Sequence, residues 1–178
     1  GSGLSDDEIR DIYEGLIEQS YLLNDVYYGD GLPFTNDPET MASLAGASSR
    51  FSYMPVDKSA PLTSEKQIRE ATLAVFSQPM CDHLFTLAFE GMSTGDDETV
   101  VYARYIEQNE ILTVRIDLAE EALPLGRVYD LDSMDILNQN DNRIVASFAT
   151  SVDGKPSVNV KLTLVKTADG WRLDSPTY

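Results

Sequence analysis

The chain has one cysteine, Cys81, one histidine, His83, and no long apolar run among its 178 residues. A lone cysteine forms no internal disulfide, so the fold stands without a covalent staple. This leaves the redox compartment open, because many extracytoplasmic proteins of Gram-positive bacteria also lack disulfides. On a helix, Cys81 and His83 project about 200° apart, which excludes a nucleophile and base pair or a shared metal. A lone histidine such as His83 could in principle serve as a general base, but one group is not a catalytic constellation, and we read it as structural. The longest apolar stretches, such as Leu162 to Val165, fall far short of the ~20 residues a membrane helix needs, so no span is expected.

Basic residues are scarce too: 13 Lys and Arg stand against 30 Asp and Glu, a net charge of −17. Neutralising a phosphate backbone takes clustered cations, so nucleic acid is not an expected partner. The charge is uneven. Residues 1–30 hold eight acids and one base, residues 92–142 twelve and three, and residues 143–178 three and five. Such a field favours a basic protein partner, and it also serves solubility. There is no phosphate loop, catalytic triad or metal-ligand cluster, and no cofactor is expected. The run Asp130 to Asp135 misses the EF-hand pattern, with Asp135 where glycine is required and Asp141 where glutamate is required. We assign no metal.

What is present is organised. Gly1 to Leu4 reads as a linker remnant or disordered start. Ser5 and Glu8 form a capping box opening a long helix, along which Ile9, Ile12, Tyr13, Leu16, Leu23 and Tyr27 recur at helical spacing. Acids fill its first turn, and Gly29 and Gly31 end it. Asp37-Pro38-Glu39 caps a short helix expected to reach Ala45. Phe51 to Val56 is extended, with proline marking an edge. Ser64 and Gln67 form a second capping box, followed by an apolar face of Ile68, Ala71, Val75 and Phe76. Ser77 caps a third helix that Gly91 closes.

A polar turn, Ser93 to Glu98, then gives way to alternating strands. Val100 to Tyr105 and Ile111 to Ile116 form a hairpin, and Arg127 to Leu137 is extended up to the Asn138 to Asn142 turn. Ile144, Ala146 and Phe148 alternate with polar residues, as do Val158, Val160, Leu162 and Leu164. Asp153-Gly154 is a hairpin signal, and Trp171 and Leu173 complete a buried face. The expected class is α+β: a helical N-terminal half packed on a C-terminal antiparallel sheet of about five to six strands. Residues 5–178 read as one domain, with two lobes, 5–91 and 98–178, as the other division.

Two sets of surface residues stand out. Tyr28, Asp30 and Phe34 place large groups in a glycine-bearing loop, and Glu120 and Glu121 lie beside Leu123, Pro124 and Leu125. Exposed apolar groups rimmed by acids suit a basic partner, although the same loops can simply cap the core. The other set is Tyr102, Asp117, Tyr129 and Asp130. If these converge in a cavity, an aspartate with tyrosines would make a small-molecule or enzymatic pocket.

The landmarks Tyr27-Tyr28-Gly29 with Leu32-Pro33, Tyr53-Met54-Pro55-Val56, Ser64 before a helix reaching Phe76-Ser77, and Asp169-Gly170-Trp171-Arg172 span most of the chain. In their order the chain resembles a family of secreted or lipid-anchored Gram-positive proteins related to the DL-endopeptidase inhibitor of cell-wall hydrolases. That resemblance implies a helical N-terminal part, a β-rich C-terminal part and an inhibitory, non-catalytic interaction outside the membrane, with the export signal or anchor not contained in this chain. Helix-then-sheet order also looks like the cone-shaped nuclear-transport-factor-like fold, which hosts enzymes and binding modules alike. The expected function is therefore a non-catalytic extracytoplasmic binding domain, with a pocket protein of unknown ligand as the alternative.

Overall fold

A computed structural model of the chain describes residues 1–44, 53–93 and 100–178. The expected helix end at Ala45, the strand start at Phe51 and most of the polar turn from Ser93 to Glu98 lie outside these residues. The helices are α1 (Asp6–Tyr27), α2 (Pro38–Ser43), α3 (Glu65–Leu73), α4 (Gln78–Phe85), continued by a π-helical turn Thr86–Glu90, and α5 (Leu118–Glu121). The first strands are β1 (Tyr53–Pro55), β2 (Met92–Ser93), β3 (Val100–Val101), β4 (Tyr105–Gln108), β5 (Ile111–Arg115) and β6 (Arg127–Tyr129). They are followed by β7 (Asp135–Gln139), β8 (Arg143–Phe148), β9 (Thr150–Val152), β10 (Lys155–Pro156), β11 (Val160–Thr167) and β12 (Gly170–Leu173). The chain is α+β, and every strand ladder is antiparallel. Its strands are divided among sheets ordered β1-β5-β4, β10-β9-β6, β12-β11-β8-β7 and β2-β3, the largest having four. No helix among the described residues is long and apolar enough to cross a membrane.

The residues group into two compact units: 1–24 with 73–80 and 124–178, and 25–72 with 81–123. In the first, α1 lies on the sheet β12-β11-β8-β7. The Ser5 and Glu8 capping box closes reciprocally, each backbone amide donating to the other side chain at 3.1 Å. This orients the stripe that buries Ile9, Tyr13, Leu16 and Ile17. The Tyr13 hydroxyl donates to the Leu162 carbonyl at 2.8 Å, and its ring meets Phe148 edge to face at 4.9 Å. Ile144, Ala146 and Phe148 of β8 and Leu162 and Leu164 of β11 are fully buried, as period-two alternation demands. Val158, expected in that row, precedes β11 and is 64% exposed. Asp153 and Gly154 both take positive φ, the backbone of a two-residue hairpin turn joining β9 to β10. Thr177 anchors the C-terminus through Ser20 and Asn24, at 2.6 and 2.9 Å. Ser2 donates to Gln139 at 2.8 Å, so the first residues are held at the end of β7.

Val75 and Phe76 depart from the helical expectation. α3 stops at Leu73, and Val75 and Ser77 bond the backbone of Leu173 at 2.8 Å on both sides, making Phe76 a parallel bridge to β12. Ser77 accordingly directs its hydroxyl to Asp174. Leu173 is the competing partner, and one strand contact offers Val75 burial that continuing the helix into Gln78-Pro79 does not.

In the second unit β5 does pair in a hairpin, with Asn109 and Glu110 both at positive φ in the turn, but its partner β4 begins only at Tyr105; Val100 and Val101, expected in that strand, pair with Ser93 and Met92 instead. β1 pairs β5, and Phe34 bridges Val56, extending the same edge by one short segment. The second capping box is shifted: Ser64 accepts the Gln67 amide at 3.0 Å, but Gln67 reaches Thr63 at 2.8 Å instead of Ser64. The Arg69 guanidinium lies over both Phe85 and Phe89, 4.6 and 4.7 Å from their ring centres, and pairs with Glu65 at 2.9 Å. Cys81 is fully buried and donates to the Thr72 carbonyl at 3.5 Å. His83, two residues along, is exposed.

Candidate functional site

The second unit is organised by two buried arginines. Arg104, 6% exposed, donates to the carbonyls of Val26 and Gly29 at 3.1 and 2.6 Å. The end of α1 leaves such carbonyls unpaired, and a cation there also faces the negative end of the helix dipole. The Tyr105 hydroxyl adds a bond to Val26 at 2.9 Å and accepts the Leu32 amide at 3.1 Å. Burial pushes the Tyr105 phenol up to about 12 and pulls the Arg104 guanidinium below its ordinary value. Gly31, at φ +80, is required where the chain turns: a Cβ there would lie 2.7 Å from Leu118 Cδ1 and 3.2 Å from the Tyr105 hydroxyl.

Arg115, 5% exposed at the end of β5, donates through Nε to Asp117 at 2.6 Å, through Nη2 to Glu121, and through Nη1 to the Tyr102 carbonyl at 2.9 Å. Burial acts to lower this guanidinium, but its bonds to the two carboxylates outweigh it and raise it. Asp117 sits at the N-cap of α5 yet makes no capping bond, because its carboxylate is committed to Arg115. The Tyr53 hydroxyl donates to the Ala103 carbonyl at 2.6 Å. Burial raises its phenol against the opposing charge of Arg115.

Beside Arg115 runs an open groove of about 460 Å³ lined by Asp30, Gly31, Leu32, Pro33, Phe34, Arg115, Ile116 and Ala119. Phe34 is 50% exposed and Ile116 41%. The Leu123 amide donates to the Tyr28 carbonyl at 2.9 Å, which brings the loop after α1 and the loop after α5 together. Asp30 and Phe34 thus line one groove, Tyr28 joins the two loops, and Glu120 is exposed on α5. Glu121 is spent on Arg115. Asp25 lies close enough to Asp30 that burial and then the Asp30 charge raise its carboxyl above the usual range.

The other expected set is divided between the units. Tyr102 and Asp117 meet through Arg115 in the second unit. Tyr129 and Asp130 belong to the first: Tyr129 is buried, its hydroxyl bonded to the Thr177 carbonyl at 3.0 Å, and burial raises its phenol. Asp130 is exposed and accepts the Asp132 amide at 3.1 Å, capping the 3-10 turn Leu131–Ser133. It also lines a separate open groove with Val128, Ala149, Thr150, Ser151, Gly154 and Pro156.

Arg104 and Arg115 were missed in the sequence. Arg115 left a signal: it ends a strand otherwise made of Ile111, Leu112, Thr113 and Val114, with acids two and six residues further on. An arginine in a fully buried strand demands such counter-charges. Compared with known proteins, the chain matches no family model and no curated relative.

Proposed function

We propose that the protein is a non-catalytic extracytoplasmic binding domain that uses the acidic groove beside Phe34 to hold a basic protein. A cell-wall hydrolase of the DL-endopeptidase type is the partner class that the inhibitor-like landmarks favour. One observation carries the reading: exposed Phe34 and Ile116 share a groove with Asp30, and the one cation lining it among the described residues, Arg115, is already paired with Asp117 and Glu121. Two carboxylates already pair with that guanidinium, and Asp30 adds a further negative charge to the groove lining. Apolar contact would supply affinity there, and the field would accelerate encounter with a cationic surface. Inhibition would follow from steric occlusion of the hydrolase, with no covalent step.

The test is a titration of purified basic DL-endopeptidase with this protein at low and at high salt, following both binding and wall hydrolysis. Saturable inhibition that weakens with salt, and about tenfold weaker binding by Phe34→Ala, is the expected result. Absence of binding at low salt, or binding unchanged by both salt and Phe34→Ala, would overturn it.

A further inference from the structure

The partner's mode of docking can be read from the backbone at Phe34; this inference rests on the binding role proposed above. The Thr35 amide donates to the Pro55 carbonyl at 2.9 Å, and the Asp57 amide donates to the Pro33 carbonyl at 2.8 Å. These two bonds flank the Phe34 and Val56 bridge, which makes that bridge the non-hydrogen-bonded kind of antiparallel pair. In such a pair the N–H and C=O of each residue point away from the other. Val56 uses its outward amide on the Leu112 carbonyl at 2.9 Å, inside the sheet. Among the described residues Phe34 has no strand on its outer side, and no hydrogen bond engages its backbone. It therefore presents one donor and one acceptor at the rim of the sheet β1-β5-β4.

We infer that the groove receives an extended cationic segment of the partner, which adds as a strand at Phe34 and places a lysine or arginine on Asp30. The unpaired backbone supplies two main-chain hydrogen bonds, the usual source of affinity when a strand is added to a sheet edge. Alternate side chains of an added strand point to one face. A residue beside the Phe34 ring can thus rest on Phe34 and Ile116, while a neighbour along the strand reaches the carboxylate. Charge selects the occupant: Asp117 and Glu121 pair with the guanidinium of Arg115, Asp30 lines the groove beside them, and the Asp30 charge also bears on Asp25. An acidic or neutral strand would meet repulsion or nothing, and a helix would leave the Phe34 backbone unsatisfied.

The experiment uses the whole protein and two probes. A short, capped peptide of alternating lysine and valine is titrated while the backbone amides are followed by NMR, beside the same peptide N-methylated at alternate residues. The purified DL-endopeptidase is then added, and amide hydrogen exchange at Phe34 is measured. Expected are saturable shifts centred on Asp30 and Phe34, about tenfold weaker binding by the N-methylated peptide, as loss of a hydrogen bond implies, weaker binding by Asp30→Asn, and slowed exchange at Phe34 in the endopeptidase complex. Equal binding of the two peptides, or no shifts at all, overturns strand addition. Endopeptidase bound with Phe34 exchange unchanged overturns it too while leaving the proposed partner intact. Peptide binding sensitive to N-methylation, with no endopeptidase binding, upholds the docking mode and rejects that partner.

Discussion

The two units hold themselves together by different means. In the first, a helix stripe of Ile9, Tyr13, Leu16 and Ile17 meets a sheet face of Ile144, Ala146, Phe148, Leu162 and Leu164, and the polar atoms buried with them mostly serve backbone carbonyls. In the second, Arg104 holds the end of α1 through Val26 and Gly29, and Arg115 joins the Tyr102 segment to the turn and helix that carry Asp117 and Glu121. Burying an apolar side chain stabilises in proportion to area, whereas a buried guanidinium stabilises only when every lobe of its fork is paired. The first arrangement tolerates imprecise loops. The second holds loops in place, and the groove with Phe34 lies where the loops are held.

The comparison predicts a ranking. Phe148→Ala removes a fully buried ring packed on both Tyr13 and Tyr129, at 4.9 and 6.2 Å between ring centres. It should cost about 3–5 kcal/mol in urea unfolding; a loss below ~1 kcal/mol would show that the first unit does not depend on apolar packing. Arg104→Met leaves the Gly29 carbonyl without its donor and the Val26 carbonyl with only the Tyr105 hydroxyl, and should cost about 2–3 kcal/mol, with Arg104→Lys recovering little because one ammonium cannot span both acceptors. Full recovery by lysine would mean that charge alone matters there.

Alkaline titration sharpens the contrast. The Tyr105 phenol is raised from 10.0 to about 12 in the folded chain, so its contribution is complete below pH 10. It is lost as pH rises toward the folded value, because the unfolded tyrosine ionises first. One such group steepens the decline by at most ~1.4 kcal/mol per pH unit. Tyr105→Phe should be less stable at neutral pH yet decline less steeply above pH 10; parallel profiles would rule out this linkage.

The smallest effect concerns Asp25. Its raised carboxyl means that the protonated form is favoured in the folded state, so the associated stability is present at acid pH and lost as pH rises through the folded value. Asp25 also stands at the negative end of α1. Asp25→Asn should therefore stabilise by about 0.3–1 kcal/mol at neutral pH, with the gain vanishing in acid. Thermal melts across that range decide, and a neutral-pH loss would contradict the assigned repulsion.

Local rules carried much of the fold. Ser5 with Glu8, Asp153-Gly154 and the alternation of Ile144, Ala146 and Phe148 each act within a few residues, and each appears where spacing placed it. Val75 and Phe76 escaped because their helical periodicity competed with Leu173, nearly a hundred residues away along the chain. At the site, Asp30 and Phe34 were visible as unusual loop residues, while the neighbour that neutralises Glu121 and Asp117 was not. Tyr102 and Asp117 meet because both bond Arg115 at the end of β5, whereas Tyr129 and Asp130 belong to the other unit.

By itself, the amino-acid order determined the α+β class, the capped first helix, the hairpin turns and the acidic field, because periodicity, backbone preference and net charge are properties of neighbouring residues or of simple totals. Only the tertiary structure decided which acids stay uncompensated and which backbone groups stay unpaired. Arg115 takes Glu121 and Asp117, and Phe34 lies on the outer side of Val56, since pairing depends on distances between segments that chain order leaves free.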